Sequence, residues 1–303
     1  MSMLIIRGTF RAKDLQPDGD TIAFTPDDVA DWRLVPGAHQ VLPKADGRAS
    51  VRLEGIDALE THYGDDESGV QHQPLGLAHR AADELLKWLN FKDFHRDEKA
   101  PKENDRESVV LCVPETVPGY ILTRGTDVYG RCVALVGRGR PPVLGGYEID
   151  VDVEQLTKTA NHHLVRQGLA YPAFYSGFPD HLRNALAVAA QGAKSAPPGK
   201  RGVWDADVTT SGFKVTGMAS LTADDGAVIL PKLFRRLKDY LDLDLHLEGA
   251  PLACLPAFLA GAGDTYYLQG TAERLTGLQG IVVTDGETVR MTRPVEEITF
   301  DEA

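Results

Sequence analysis

The sequence predicts a mixed α+β protein with two domains. Its 303 residues favour about two domains, at roughly 150 residues each. Short segments of alternating apolar residues near Asp-Gly turns indicate β-strands, and longer segments with apolar residues every three or four positions indicate helices. The composition changes across residues 209–212, so we predict one domain over residues 1–207 and a second over residues 213–303.

The overall composition is that of a soluble globular protein. Hydrophobic residues make up 43% and charged residues 25% of the chain, which is ordinary for this class. No segment approaches the roughly 18 uninterrupted apolar residues of a membrane span, and the N-terminus has too short an apolar core for a secretory signal. The three cysteines lack the paired spacing of a zinc site. We therefore expect a cytoplasmic protein without a membrane partner.

The net charge of −12 restricts how this protein could hold a polyanion. Proteins that bind nucleic acid along a long track usually have a basic surface. A nucleic-acid substrate would therefore have to be held locally, at a small group of cationic side chains.

The first two strands are predicted at residues 3–13 and 22–25. A tight turn at residues 18–21 joins them, because Asp-Gly tolerates positive φ. Asp20 lies where the second strand begins and could point into a site. Residues 26–50 are rich in Pro, Gly and Asp and predict an ordered insertion.

The segment 51–61 concentrates the charged residues that phosphate or metal chemistry uses. Its alternating apolar residues predict a strand with Arg52 on the opposite face. The turn that follows exposes Asp57 and Glu60. One short segment therefore presents a cation and two carboxylates.

Three amphipathic helices follow from apolar residues that recur every three or four positions. They cover residues 74–90, 152–169 and 180–195. Residues 92–126 predict a second insertion, and residues 130–136 predict a further strand. The turn before that strand presents Tyr129 and Arg131.

The C-terminal domain carries no chemical motif. It contains an amphipathic segment at 229–241, a helix near 252–260 and an Asp-Gly hairpin at 281–290. We expect a small α+β domain that binds a protein partner or mediates self-association.

The order of these segments resembles the staphylococcal nuclease (thermonuclease) family. The matching segments are the turn Asp18–Thr21, the segment Arg52–Thr61, the amphipathic helix, the turn Asp127–Arg131, the helix ending Leu164–Ala170 and the closing Gly202–Trp204. The resemblance covers roughly residues 3–207. It implies a five-stranded OB-fold β-barrel that carries three helices.

The resemblance also implies a calcium site beside the barrel. Asp20 and Asp57 would be its carboxylate ligands, and the main-chain carbonyl of Ala58 a third oxygen. Ca²⁺ prefers such hard oxygen ligands and can polarise a phosphoryl oxygen.

The resemblance assigns the remaining charged residues to catalysis. Glu60 would be the general base for the attacking water, Arg52 and Arg131 would hold the scissile phosphate, and Tyr129 would lie near the terminal phosphate. Guanidinium groups bind phosphate through two parallel hydrogen bonds. The expected activity is Ca²⁺-dependent hydrolysis of DNA or RNA, with products that carry a 3′-phosphate.

Two departures from the family pattern leave an alternative open. The chain has Ala58-Leu59 where the family commonly has Thr-Pro, and the following loop is acidic at residues 65–67. The alternative is a catalytically weak or inactive scaffold that binds nucleic acid or protein, with a partner-docking C-terminal domain. A third interpretation treats the charged residues as ordinary surface charges of a barrel.

Overall fold

The computed structural model shows a mixed α+β molecule with two hydrophobic cores. It describes residues 2–65, 69–97, 99–100, 104–243 and 252–301. Two residues of the predicted acidic loop, Asp66 and Glu67, lie outside this part of the chain. Among the described residues, no helix is both long and apolar enough to cross a membrane.

The first 194 residues contain the barrel strands and the helices that pack beside them. The strands are β1 (Ser2–Arg11), β2 (Thr21–Pro26), β3 (Ala49–Leu53), β4 (Ile56–Ala58), β5 (Asp93–Arg96), β6 (Val109–Val113), β7 (Thr116–Thr126), β8 (Cys132–Arg138), β9 (Glu148–Asp150), β10 (Ala170–Pro172) and β11 (Phe174–Tyr175). The helices are α1 (Leu75–Trp88), α2 (Val153–Thr157), α3 (Ala160–Arg166) and α4 (Asp180–Lys194).

Five strands close into a barrel. The order is β1-β2-β3-β8-β7, and β7 pairs back to β1. The pairing of β3 with β8 is parallel, and the other pairings in the ring are antiparallel. This confirms the predicted five-stranded barrel, and the strand order is compatible with an OB-fold.

The predicted insertion at residues 92–126 was too long, because it includes barrel strand β7. What lies outside the barrel is the β5–β6 hairpin and its connection. The other insertion, residues 26–50, contains a 3₁₀ turn at Val29–Leu34. Trp32 of that turn packs edge-on against Phe24 of the barrel, with ring centroids 6.0 Å apart.

Helices α1 and α4 agree with the sequence prediction, whereas the helix predicted at residues 152–169 is two helices. Thr159 interrupts it by capping the N-terminus of α3, where its side chain accepts from the His162 N–H. Asn161 then turns towards the barrel and donates to the carbonyl oxygens of Glu54 and Ala134 at 2.8 and 3.2 Å. The break therefore joins the helices to the barrel.

The C-terminal part forms the second core. Its strands are β12 (Phe213–Lys214), β13 (Thr265–Leu268), β14 (Leu275–Thr276), β15 (Val282–Asp285), β16 (Thr288–Met291) and β17 (Ile298–Asp301), and its helices are α5 (Ala219–Thr222), α6 (Pro231–Leu241) and α7 (Leu255–Gly261). The predicted helices at 229–241 and 252–260 and the predicted hairpin correspond to α6, α7 and β15–β16.

The two parts of the chain share structure. Strand β11 pairs in parallel with β17, and Leu59, Ala78 and Tyr171 belong to the second core. The division into domains at residues 207 and 213 stays a prediction. Helix α6 is thereby packed close to the end of β4, which positions the site described below.

Candidate functional site

A cavity of about 770 Å³ is lined by the barrel and by helix α6. Its wall includes the turn before β2, the segment from β3 to residue 65, the turn before β8 and one face of α6. The predicted site residues in this wall are Asp20, Arg52, Glu60, Tyr129 and Arg131. Three segments that are far apart in sequence therefore reach one cavity.

Arg52 joins the two predicted aspartates. Its Nη2 donates to Asp57 Oδ1 at 2.5 Å, and its Nη1 forms an ion pair with Asp20 Oδ1. The strand register explains the contact with Asp20, because Arg52 on β3 lies opposite Thr21, the neighbour of Asp20. Both carboxylates are buried.

Ala58 contacts Asp20 through its backbone N–H, which donates to Asp20 Oδ2 at 2.7 Å. The family resemblance instead implied that the Ala58 carbonyl oxygen is a calcium ligand. Strand β4 carries Ala58 opposite Ala170 of β10, so this backbone is held in a two-stranded sheet. Both oxygens of Asp20 are thus engaged by protein groups.

Gln73 holds the backbone of Glu60 at the cavity wall through two hydrogen bonds. The Glu60 N–H donates to Gln73 Oε1 at 3.2 Å, and the Glu60 carbonyl oxygen accepts from the Gln73 N–H at 2.9 Å. The preceding Leu59 is fully buried in the second core. The leucine that departs from the family pattern therefore anchors the segment by packing.

Arg131 and Tyr129 lie together on the turn before β8. Asp127 organises this turn, because its Oδ1 accepts from the backbone N–H groups of Tyr129 and Arg131 at 3.0 and 2.9 Å. Its Oδ2 accepts from Arg131 Nε at 2.7 Å. The guanidinium lies 5.6 Å from the Tyr129 ring centroid, and Tyr129 is 74% exposed. Arg131 therefore lines the cavity as a second guanidinium, and it pairs with Asp127 rather than with the carboxylates that Arg52 contacts.

Arg235 of helix α6 completes the site and was not predicted. Its Nη1 pairs with Glu60 Oε1, and its Nη2 donates to Asp57 Oδ2 at 3.1 Å. The sequence predicted the helix, but a cation on the polar face of an amphipathic helix is ordinarily solvated. Its separation of 175 residues from Glu60 also gave no local signal.

The two guanidinium groups set the ionisation of Asp57. Burial works to raise its pKa, but Arg235 and Arg52 outweigh burial and hold the pKa below its usual value. Burial likewise works to lower the pKa of Arg235, and Asp57 and Glu60 raise that pKa well above its usual value. Both groups are therefore charged at neutral pH.

Asp18 behaves in the opposite way. Burial and repulsion from Glu60 raise its pKa well above the usual value, although the Gly19 N–H donates to its Oδ1 at 2.6 Å. Asp18 lines the same cavity. The site therefore combines Asp18, a carboxyl that resists ionisation, with Asp57, a carboxylate that cations hold ionised.

The carboxylates supply hard oxygens, but as arranged they do not form a calcium site. Asp20 is engaged by Arg52 and the Ala58 N–H, and Asp57 is engaged by Arg52 and Arg235. Over the described ranges, no three His, Cys, Asp or Glu side chains are grouped so that they could hold a metal ion. The calcium requirement stays a prediction, and we derive no step of the chemistry through a metal.

The sequence matches no protein-family model and no curated protein. The interpretation of the site therefore depends on the geometry of its own residues.

Proposed function

We propose that this protein is a thermonuclease-like nuclease that hydrolyses phosphodiester bonds of DNA or RNA at the cavity. The observation that carries the proposal is that all three predicted site segments reach this one cavity at a closed five-stranded barrel. A barrel with unrelated surface charges has no reason to collect Arg52, Glu60 and Arg131 in one wall.

The side chains supply the groups that phosphodiester hydrolysis requires. Negative charge grows on the phosphate as water attacks, so fixed positive charge lowers the barrier. Arg131, which is partly exposed, would bind the phosphate, and Arg52 would contribute its positive charge from the cavity wall. Glu60 would accept the proton of the attacking water, and the product would carry a 3′-phosphate, as the family resemblance implies.

A specific observation favours the alternative function as well. Arg235 engages Asp57 and Glu60, so a carboxylate oxygen of the proposed general base is already occupied by a protein group. A scaffold that binds nucleic acid or protein through the barrel, with residues 213–303 as the docking part, would keep this closed arrangement.

The deciding experiment is a cleavage assay with the full chain. Labelled single-stranded and double-stranded DNA and RNA are incubated with Ca²⁺, with Mg²⁺ and with chelator. We expect cleavage by the wild type and a loss of at least about 10²-fold in Glu60→Gln, the size typical of a missing general base.

The control is Glu154→Gln, which makes the same change at an exposed residue that pairs with Lys158 on α2. Cleavage by the wild type that chelator abolishes would support the calcium prediction. Absence of cleavage under every condition would reject the nuclease and leave the scaffold.

A further inference from the structure

Helix α6 presents one polar face to the cavity. Lys232, Arg235, Arg236 and Asp239 all line it, and their spacing of three and four residues places them on one side of the helix. The opposite side is buried in the second core through Leu233, Phe234, Leu237 and Tyr240. The packing of α6 therefore fixes which side chains face the barrel.

Four cationic side chains of α6 line the cavity, and Arg235 is the one directed at the predicted site residues. Lys238 pairs with Asp242. Lys232 Nζ pairs with Asp264 Oδ1 at 3.1 Å. Arg236 donates to the same carboxylate, from Nε to Oδ2 at 2.6 Å and from Nη2 to Oδ1 at 2.9 Å. Arg235 instead reaches Asp57 and Glu60. Its side chain is 20% exposed, so the contact is largely shielded from solvent.

A second contact holds the same two parts of the chain together. Gln73 is fully buried and bonds to the backbone of Glu60, while its Nε2 donates to the carbonyl oxygen of Ile229 at 2.8 Å. Ile229 lies two residues before α6. The distance between Glu60 and Arg235 is therefore set by packing and by a buried amide as well as by charge.

The net charge of the paired carboxylates and guanidinium groups in the cavity decides which ions the site can bind. Asp20, Asp57 and Glu60 contribute three negative charges, which Arg52 and Arg235 reduce to one. Without Arg235 the same group would carry two negative charges around hard oxygens, which is the complement of a divalent cation.

We infer that Arg235 is the resident cation of this site, meaning that the protein's own positive charge, paired with Asp57 and Glu60, stands in for a divalent cation. The inference deepens the proposed function, whose site it shares, and assigns part of that site to the C-terminal part of the chain. The wild type then binds Ca²⁺ weakly, and removal of the guanidinium opens a site for the ion.

The test is calorimetric titration of CaCl₂ into the full-length wild type, Arg235→Gln and Arg236→Gln, without substrate. We expect Arg235→Gln to bind Ca²⁺ at least about tenfold more tightly than the wild type, because one nearby positive charge has been removed. Ca²⁺ should also raise the melting temperature of Arg235→Gln more than that of the wild type.

Arg236→Gln is the matched control, since it removes the same charge from the same helix but from a side chain paired with Asp264. It should bind Ca²⁺ like the wild type. If Arg235→Gln does not fold, Arg235→Lys replaces it. An ammonium cannot span both carboxylates as the guanidinium does, so that variant should bind Ca²⁺ more tightly than the wild type.

Equal affinities in the wild type and the folded Arg235 variant would overturn the inference, as would an equal gain in Arg236→Gln. Because the titration needs no substrate, its result is separate from the cleavage assay. Cleavage without the affinity difference would leave the proposed function intact, and the affinity difference without cleavage would leave the inference intact.

Discussion

At the scale of single residues, Arg52 does two things that a lysine could not do together. One guanidinium contacts Asp20 through Nη1 and Asp57 through Nη2. It thereby fixes the carboxylate of Asp20, in the turn before β2, and that of Asp57, on β4, and it presents positive charge in the cavity wall. A planar group with several donors is needed for this geometry.

Arg52→Lys should therefore reduce turnover of an oligonucleotide substrate by on the order of 10²-fold, as expected when one preorganised donor is lost. The measurement is kcat under saturating substrate, with thermal melting to confirm folding. Arg33→Lys, an exposed residue of the Val29–Leu34 turn, is the control. Turnover equal to that of the wild type would refute the role of Arg52.

Asp18 gives a prediction for the pH dependence of stability. Its pKa is raised in the folded protein by burial and by Glu60, so the folded state holds this proton more tightly than the unfolded state does. Stability from this group is then lost as pH rises from about 4, the unfolded pKa, through the folded pKa. Asp18→Asn cannot ionise, so it should melt at a higher temperature than the wild type at pH 8.

The advantage of Asp18→Asn should shrink towards pH 4. Asp57 has the opposite shift and loses stability in acid, but it is present in both proteins and its direct contribution is shared. Melting is followed by calorimetry from pH 4 to pH 8, with exposed Asp224→Asn as the control. A lower melting temperature for Asp18→Asn at pH 8 would contradict the assignment.

Local patterns predicted the turns and strands that carry the barrel residues of the cavity wall, and the family resemblance predicted that these segments meet. Asp20, Arg52, Glu60 and Arg131 follow turns or strands whose patterns are local. Arg235 could not be predicted in this way, because its role depends on the packing of α6 in a core to which Leu59 and Tyr171 also belong. Such a contact becomes apparent only in three dimensions.

At the scale of elements, periodicity succeeded where one face is buried and failed where the pattern is interrupted. Helix α1 follows its apolar pattern. Strand β7 was missed because Pro118 and Gly119 suggest a break. In the structure Pro118 pairs only on the β1 side, and pairing with β8 begins at Gly119, so the missing N–H is tolerated.

The side chain of Gln73 connects the segment that carries Glu60 to Ile229, which lies just before α6. Gln73→Ala would leave the Glu60 N–H and the Ile229 carbonyl oxygen buried without these partners. We expect a loss of about 2 kcal/mol in the free energy of unfolding, measured by chemical denaturation, and faster hydrogen exchange of the Glu60 amide.

The control for this prediction is Gln71→Ala. Gln71 bonds to Tyr63 through backbone atoms in both directions, and the substitution keeps those bonds. Equal stability losses in the two variants, or an unchanged Glu60 amide, would show that Gln73 does not couple the segment to the C-terminal part.

At the scale of the whole molecule, the cavity belongs to both parts of the chain. The barrel supplies Asp20, Arg52 and Arg131, and helix α6 supplies Arg235. Fixed cations placed at one cavity would reconcile the proposed binding of a polyanion with a net charge of −12. Because α6 is buried in the second core, the packing of that core positions Arg235 in the site.

The shared packing predicts that the full chain unfolds in one cooperative thermal transition. Leu59 and Tyr171 are buried in the second core, and β11 pairs with β17, so neither part keeps its contacts when the other unfolds. Leu59→Ala should lower the free energy of unfolding by about 2–5 kcal/mol and move this single transition as a unit. Calorimetry of the wild type and of Leu59→Ala measures the number of transitions and their temperatures.

Two separate transitions, of which Leu59→Ala shifts only one, would contradict this prediction. They would show that residues 1–207 and 213–303 unfold independently, so that the packing of α6 would not depend on the barrel.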